Sequence, residues 1–123
     1  MNPTTRAALE ASGLCDITTT GARSGKPHRI EITFHHFDDG FFIGGKPGRK
    51  RDWLANLKAN PEFTLHLRNG DDVIAHATEI TDPAERDRLL TAIRIRWGVD
   101  LAEVAATNPT WVATSPLVAF VPQ

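Results

Sequence analysis

The sequence predicts a small, mainly β domain (α+β) in which about six mostly antiparallel strands close into a barrel with helices inserted between them. Residues 28–36 alternate between apolar and polar side chains, as a half-buried strand does. Two short polar turns, Asp38-Asp39-Gly40 and residues 69–72, each join a pair of strand-like segments and so indicate hairpins. A sheet of this kind exposes unpaired edges unless it closes, so a barrel over residues 1–123 is the simplest arrangement.

The strand segments are short and rich in β-branched or aromatic residues. In residues 28–36, Ile30, Ile32 and Phe34 share one face, while Arg29 and His35 lie with the polar residues of the other. Gly21 to Pro27 is a turn rich in Gly, Ser and Pro. Strands are predicted over residues 14–20, 28–36, 41–43, 62–68, 73–81 and 117–121.

Helices are predicted from capping residues and apolar spacing. Asp82 and Pro83 suit the N-cap and first position of a helix, whose apolar residues then recur at helical spacing as far as Trp97. Thr4 or Thr5 is the expected N-cap of the first helix. Helices are predicted over residues 4–12, 50–59 and 83–96, with one or two further turns in residues 100–107.

Composition excludes several classes of function. The chain has 123 residues and a net charge of −1, which favours neither nucleic acid nor an anionic membrane. No apolar run approaches the ~18 residues of a membrane span, and the N-terminal segment lacks the apolar core of a signal peptide. The single cysteine, Cys15, fits a reducing compartment, so a cytoplasmic protein is expected. The five histidines show no metal-binding spacing, and no metal site is expected.

Positive charge is concentrated in two glycine-containing turns. The first contains Arg23, Ser24 and Lys26 and is followed by Arg29. Glycines allow close backbone approach to a ligand, and Lys and Arg supply countercharge, so these turns suit a small anionic molecule that carries phosphate. Each turn could equally be an ordinary solvated surface segment. The second turn contains Gly44, Gly45, Lys46, Arg49, Lys50 and Arg51.

The helix after the second turn carries a mixed face. Trp53, Asn56 and Leu57 fall at i, i+3 and i+4 and therefore share one side. Trp53 and Leu57 are most simply core residues. A buried Asn56 needs hydrogen-bond partners, and these could be a ligand or the neighbouring strand.

Two segments resemble the deazaflavin-dependent nitroreductase family. They are Thr-Thr-Thr-Gly-x-Arg-Ser-Gly, from residue 18, and Gly-Gly-Lys-x5-Asp-Trp-x2-Asn-Leu-x-Ala-Asn-Pro, which ends at residue 61. The resemblance implies the split β-barrel fold, related to the pyridoxamine 5′-phosphate oxidases and other FMN-binding proteins. It also implies binding of coenzyme F420, an anionic 8-hydroxy-5-deazaflavin with a phospholactate and an oligoglutamate tail.

The resemblance assigns roles to several candidate residues. Arg23 matches a basic position that contacts phosphate, and Arg29 matches the basic residue that ends the first turn. Lys46 matches the lysine near the deazaflavin ring, and Trp53 and Asn56 match the cofactor side of the helix. Relatives often have a basic residue where this chain has Ala22, a difference that weakens the phosphate site.

The implied activity is hydride transfer from the reduced deazaflavin to a small electron-poor acceptor, such as an activated C=C bond, a quinone or a nitro compound. Nitroimidazole-activating relatives use tyrosines in their C-terminal part, and this chain contains no tyrosine. Split barrels of this kind commonly dimerise, so a homodimer is expected. The alternatives are an FMN-binding split barrel, a non-catalytic carrier of a cofactor or tetrapyrrole, and a nucleic-acid-binding module, which the acidic net charge disfavours.

Overall fold

A computed structural model describes residues 1–48 and 51–123. Within this part, six strands form a closed antiparallel barrel in the order β1-β2-β3-β6-β5-β4, and β1 pairs with β4 to close it. The predicted fold class, a split β-barrel with inserted helices, is confirmed. The strands are β1 Gly13–Thr20, β2 Pro27–Phe37, β3 Gly40–Gly44, β4 Glu62–His66, β5 Asp72–Glu79 and β6 Leu117–Pro122. The helices are α1 Pro3–Ala11, α2 Asp52–Ala59, α3 Pro83–Arg96 and α4 Leu101–Thr114.

The β2–β3 hairpin forms where the sequence predicts it. Phe37 pairs with Gly40, which leaves Asp38 and Asp39 as a two-residue loop. Both aspartates have positive φ, 52° and 58°, the conformation of a type I′ turn. The turn matches the twist of the two strands and directs β3 back along β2, towards the loop that precedes α2.

Two apolar clusters lie on opposite sides of the barrel wall. Alternate residues of β1, including Cys15 and Ile17, point inward and pack with Phe34 and Phe120. On the outside, α3 packs Leu89, Leu90 and Ile93 against Phe42 and Leu117. Burial raises the pKa of the Cys15 thiol to about 11, so this side chain stays a thiol at neutral pH. No helix of the described residues is long and apolar enough to cross a membrane.

Helix α4 is longer than predicted. It continues from Leu101 to Thr114, past the one or two turns predicted in residues 100–107, and it includes Pro109 in its interior. A buried arginine on α3 compensates at its end: Arg86 donates hydrogen bonds to the carbonyls of Ile80, Val112 and Ser115 at 2.5–2.8 Å. These carbonyls belong to the end of α4 and the segments beside it, so the guanidinium supplies partners that the helix cannot provide.

The start of α1 also differs from the prediction. Asn2, and not Thr4 or Thr5, is the N-cap, and its side chain accepts a hydrogen bond from the Thr5 amide at 2.8 Å. Pro3 fits the first helical position because its missing N–H would have no partner there. The Thr5 hydroxyl instead donates to Asp71 at 2.7 Å and ties α1 to the β4–β5 hairpin.

His35 was predicted on the polar face of β2, but it is buried. Only 3% of its surface is exposed, its ring lies 5.8 Å from that of Trp97, and its Nε2 has no hydrogen-bond partner among the described residues. The outward face of β2 is covered here by the end of α3, which the strand's own alternation cannot reveal. Burial, aided by the nearby charge of Arg96, lowers the pKa of His35 to about 4.

We predict that, because of His35, the free energy of unfolding decreases as the pH is lowered from about 6.5, the ordinary pKa of histidine, to about 4. In this window the unfolded chain binds a proton that the folded protein excludes, so acid favours unfolding. Urea unfolding can be followed by tryptophan fluorescence at several pH values. In the native protein the urea midpoint should fall as the pH is lowered through this window, and the fall should be smaller in His35→Phe. His76→Gln, at an exposed histidine, is the control and should keep the native slope. An unchanged slope in His35→Phe would contradict the assignment.

Candidate functional site

A cavity of about 450 Å³ lies between the turn after β1 and the beginning of α2. This volume is within the usual range of small-molecule sites, roughly 300–1,000 Å³. Of the ten predicted site residues that lie within residues 1–48 and 51–123, four line it: Arg23, Ser24, Trp53 and Asn56. The other lining residues are Thr19, Gly21, Ala22, His28, Ile30, Asp52 and Ala55.

The turn between β1 and β2 folds tightly on itself. The Gly21 amide donates to the Lys26 carbonyl at 2.8 Å, and the Gly25 amide donates to the Gly21 carbonyl at 3.0 Å. A Cβ atom at Gly21 would lie 2.4 Å from the Ser24 Oγ and 2.9 Å from the His28 Nε2, so a larger residue there would displace these two side chains. The exposed side chains of Arg23 and Ser24 are thereby held at the cavity wall.

Asn56 fastens this turn to α2. Its Oδ1 accepts from the Ala22 amide at 2.9 Å, and its Nδ2 donates to the Thr19 Oγ1 at 3.0 Å. Only 7% of Asn56 is exposed, so both bonds form away from most of the solvent. Of the two partners considered from the sequence, the neighbouring strand and its turn are the ones observed. Asn56 therefore positions the cavity wall, with both of its polar atoms already engaged.

The cavity is bordered by cations that have no internal countercharge. Arg23, Lys26 and Lys46 are exposed and form no ion pair within residues 1–48 and 51–123. Arg23 belongs to the cavity wall itself, whereas Lys26 and Lys46 do not line it. One carboxylate opposes them: Asp52, in the first turn of α2, is part of the wall. An anion would be drawn to the turn side of the cavity, away from Asp52.

The second glycine-containing loop is built around Arg51. Its Nη2 donates to the Lys46 carbonyl at 3.3 Å, and the Gly45 amide donates to the Pro116 carbonyl at 3.1 Å. A Cβ at Gly45 would lie 3.0 Å from that Nη2 and 3.1 Å from the Pro116 ring, so the loop needs glycine to pass between them. Gly44, Gly45, Lys46 and Arg51 do not line the cavity, and Arg49 and Lys50 lie outside the described residues.

Arg29 is placed away from the other candidates. It pairs with Thr18 on the outward face of the barrel, where its Nε donates to the Asp16 carboxylate at 2.9 Å. Arg68 bonds the same carboxylate at 3.2 Å. Hydrogen bonds from these two arginines lower the pKa of Asp16, although its burial opposes them. The charge of Arg29 is therefore used outside the cavity, and the strand alternation explains why.

Several lining residues were missed in the sequence. Thr19 follows Cys15 and Ile17 at a spacing of two, so the inward face of β1 already included it. His28 and Ile30 come from β2, and only the pairing of β2 with β1 brings them to the cavity. Ala22 contributes a backbone amide, which its side-chain type does not reveal.

The family model for F420H2-dependent quinone reductases matches residues 4–109. The chain belongs to this family. It is therefore a deazaflavin-dependent oxidoreductase whose cofactor is coenzyme F420, as the resemblance implied. A search of curated protein sequences finds no significant match.

Solved structures share the fold at low sequence identity. An F420 reductase aligns with a TM-score of 0.68 and 18% identity, over 96% of this chain and 92% of its own. The conserved hypothetical protein Rv2991 of Mycobacterium tuberculosis gives 0.72 and 18%, over 100% and 81% of the two chains. A protein from Listeria innocua assigned to the pyridoxamine 5′-phosphate oxidases gives 0.67 and 17%, over 98% and 91%.

The residues around the cavity fit an anionic cofactor of this kind. Arg23 is a charged donor with no countercharge of its own, and the Ser24 hydroxyl stands beside it. The exposed amides of Arg23 and Ser24 make no hydrogen bond within the described part of the chain and are available to phosphate oxygens. Trp53 and Ile30 supply apolar surface for a planar ring system.

We predict that Asn56→Leu weakens F420 binding about tenfold or more. Leucine removes the bonds to Ala22 and Thr19, so the turn that carries Arg23 must be ordered when the cofactor binds. Fluorescence titration measures the affinity, and a thermal melt measures the accompanying loss of stability. Asn56→Asp keeps an acceptor for the Ala22 amide and should be less affected.

Asn60→Ala is the matched control for this change. Asn60 bonds the same strand end through the Thr20 carbonyl, but at 3.4 Å and without contact to the turn. Its removal should change F420 affinity less than twofold. Equal losses in the Asn56 and Asn60 variants would show that the contact with the turn is not what matters.

Proposed function

We propose that this protein reduces quinones with reduced F420, and that the cavity beside α2 binds the anionic part of the cofactor. The acceptor suggested by the family is a quinone. The observation that carries the proposal is the exposed guanidinium of Arg23, which forms no ion pair among the described residues and stands at the wall of a cavity suited to a small molecule.

Each part of the site has a separate task in this proposal. Arg23, Ser24 and the free amides of the turn hold phosphate, since charge-assisted hydrogen bonds from a fixed backbone are strong and directional. Trp53 packs against the cofactor at the base of the cavity. Lys46 adds positive charge at the loop that Arg51 and Gly45 hold in place. Arg29 is left out of the proposed contacts because it is paired with Asp16 on the opposite face.

Reduced F420, when bound, would supply a hydride and release its proton to solvent, and the hydride together with a proton taken up from solvent would convert a quinone to its hydroquinone. The protein's own contribution is to orient the two planar molecules and to exclude water from between them. The backbone amide of Lys46, which makes no hydrogen bond among the described residues, is the proposed stabiliser of negative charge that develops on the acceptor, since the neighbouring Gly45 amide already donates to the Pro116 carbonyl. No side chain of the described site is assigned as the proton donor, and solvent fills that role.

The first test is a pair of fluorescence titrations, with F420 and with FMN, followed by turnover of menadione with reduced F420. We expect tight binding of F420, weak binding of FMN and reduction of the quinone. FMN has one phosphate and no glutamate tail, so it gains less from the local positive charge. Binding without turnover would leave a carrier, and preference for FMN would move the protein to the flavin-dependent branch of the fold.

We predict that Arg23→Ala raises the F420 dissociation constant about tenfold or more and weakens its salt dependence. A hydrogen bond to a charged group contributes about 1.5–3 kcal/mol, and 1.4 kcal/mol corresponds to a factor of ten. Arg29→Ala removes the same charge from the outer face and should change the constant less than twofold. A loss of affinity in Arg29→Ala as large as that in Arg23→Ala would contradict the proposal that the phosphate binds on the Arg23 side of β2.

We predict that kcat/KM for menadione exceeds that for a nitroimidazole by at least an order of magnitude. The nitroimidazole-activating enzymes that the sequence resembles depend on C-terminal tyrosines, and this chain has none. In their place the C-terminal part offers Trp97 and Trp111, whose rings lie 6.1 Å apart. Both acceptors should be assayed with the same reduced F420 preparation. Comparable rates would show that the tyrosines are not required for nitro reduction on this scaffold.

The homodimer expected from the resemblance stays a prediction. The outer faces of β5 and β6 expose two large apolar residues, Ile74 at 46% and Val121 at 70%, and they are the proposed contact surface. A cytoplasmic location also stays a prediction.

A further inference from the structure

A second cavity, of about 580 Å³, lies in the groove between α3 and α4. It shares no lining residue with the cavity beside α2. Its walls are mainly apolar, formed by Leu101, Val104, Pro109 and Val112 of α4. The proposed function does not use this groove.

One end of the groove carries a buried amide with an unused acceptor. Asn108 is 5% exposed, and its Nδ2 donates to the Asp87 carboxylate and to the Thr91 hydroxyl, the latter at 3.2 Å. An ionised carboxylate only accepts hydrogen bonds, so the nitrogen must face Asp87, and the orientation of the amide is fixed. The Oδ1 of Asn108 is left buried and without a partner among the described residues. A buried acceptor of this kind is destabilising unless something donates to it.

Pro109 removes the usual helical donor of one carbonyl in α4. Proline has no N–H, so it cannot donate to the carbonyl of Ala105, four residues earlier in α4. Both Ala105 and Pro109 line the groove. The interruption of the helix thus adds a backbone oxygen to the same region in which Asn108 and Asp87 lie.

The polar groups of the groove are hydrogen-bond acceptors, so they suit a ligand that carries N–H donors and do not suit an anion. Asp87 contributes a negative charge and forms no ion pair within the described residues. No Lys, Arg or His within residues 1–48 and 51–123 belongs to the lining. A ligand that satisfies this set must bring N–H donors, and a positive charge on it would gain from the carboxylate.

We propose that the α3–α4 groove binds an organic cation, in which an ammonium or amidinium group is attached to an apolar body. The cationic head lies against the exposed carboxylate of Asp87, at the end of the groove that holds Asn108. The apolar body lies against Leu101, Val104 and Val112. This site is separate from the F420 cavity, and its occupation does not require the cofactor.

The probe is benzamidine, and its neutral near-isostere benzamide is the comparison. Both are titrated into the full chain labelled with ¹⁵N, and amide chemical shifts are followed by NMR. We expect saturable shifts confined to α3 and α4 with a benzamidine dissociation constant on the order of 1 mM, as suits so small a ligand. Benzamide should bind about tenfold more weakly or not measurably. Equal binding of both, shifts centred on the Arg23 turn, or no saturable shift would overturn the proposal.

Two variants, together with a control variant, test the groove itself. Asp87→Asn removes the charge and should weaken benzamidine about tenfold. Ala105→Trp fills the groove from an exposed position and should abolish binding, whereas Ala106→Trp, at the exposed neighbour that does not line the groove, should bind as the native chain does. All three should retain quinone turnover with reduced F420, which shows that they are folded. Unchanged benzamidine binding in Ala105→Trp would exclude the groove as its site.

Discussion

The closure of the barrel by pairing between β1 and β4 is the constraint on which the site depends. Ile17 pairs with Leu65 and Thr18 with Thr64, so β4 lies directly beside β1. Helix α2 precedes β4 in the chain, and closure therefore returns it to the end of β1. Only in this arrangement can Asn56 reach Thr19 and the turn that follows it. An open sheet would leave α2 and the turn at separate edges, with no cavity between them.

The surface ion pairs contribute little to stability, but they determine where unpaired positive charge remains on the surface. Arg29 and Arg68 bond Asp16, Arg68 also bonds Glu31, and Arg88 bonds Asp38 and Glu85. Exposed pairs of this kind contribute about 0–1 kcal/mol each. By neutralising arginines elsewhere, however, they leave the cations of the first turn as a local excess on a chain whose net charge is −1. The attraction for an anion is thus local, as its binding requires.

Local features were predictable from the sequence, whereas features made by distant residues were not. The two-residue loop Asp38-Asp39 and the capped start of α3 depend on neighbours in the chain, and both predictions were confirmed. The burial of His35 depends on Trp97, and the length of α4 depends on Arg86. Neither contact can be recognised from the pattern of neighbouring residues in the sequence.

The same division holds for the site. Arg23 and Ser24 were recognised because a glycine-containing turn places them together by itself, and Trp53 and Asn56 because helical spacing does. Their meeting with Thr19, His28 and Ile30 required the pairing of β1 with β2 and β4. Arg29 is only a few residues from the turn, but the strand alternation places it on the outer face, beside Asp16.

Asp52 decides which part of the cavity suits the phosphate. A helix N-terminus carries partial positive charge and would by itself favour an anion at the beginning of α2. An aspartate in the first turn is stabilised by that charge, by about 0.3–1 kcal/mol, and so neutralises the attraction that the helix would offer an anion. Asp52 also lines the cavity, where its carboxylate repels an anion bound nearby. In the proposed function, the turn at Arg23 and Ser24 is then the favourable end of the cavity for the anionic tail of the cofactor.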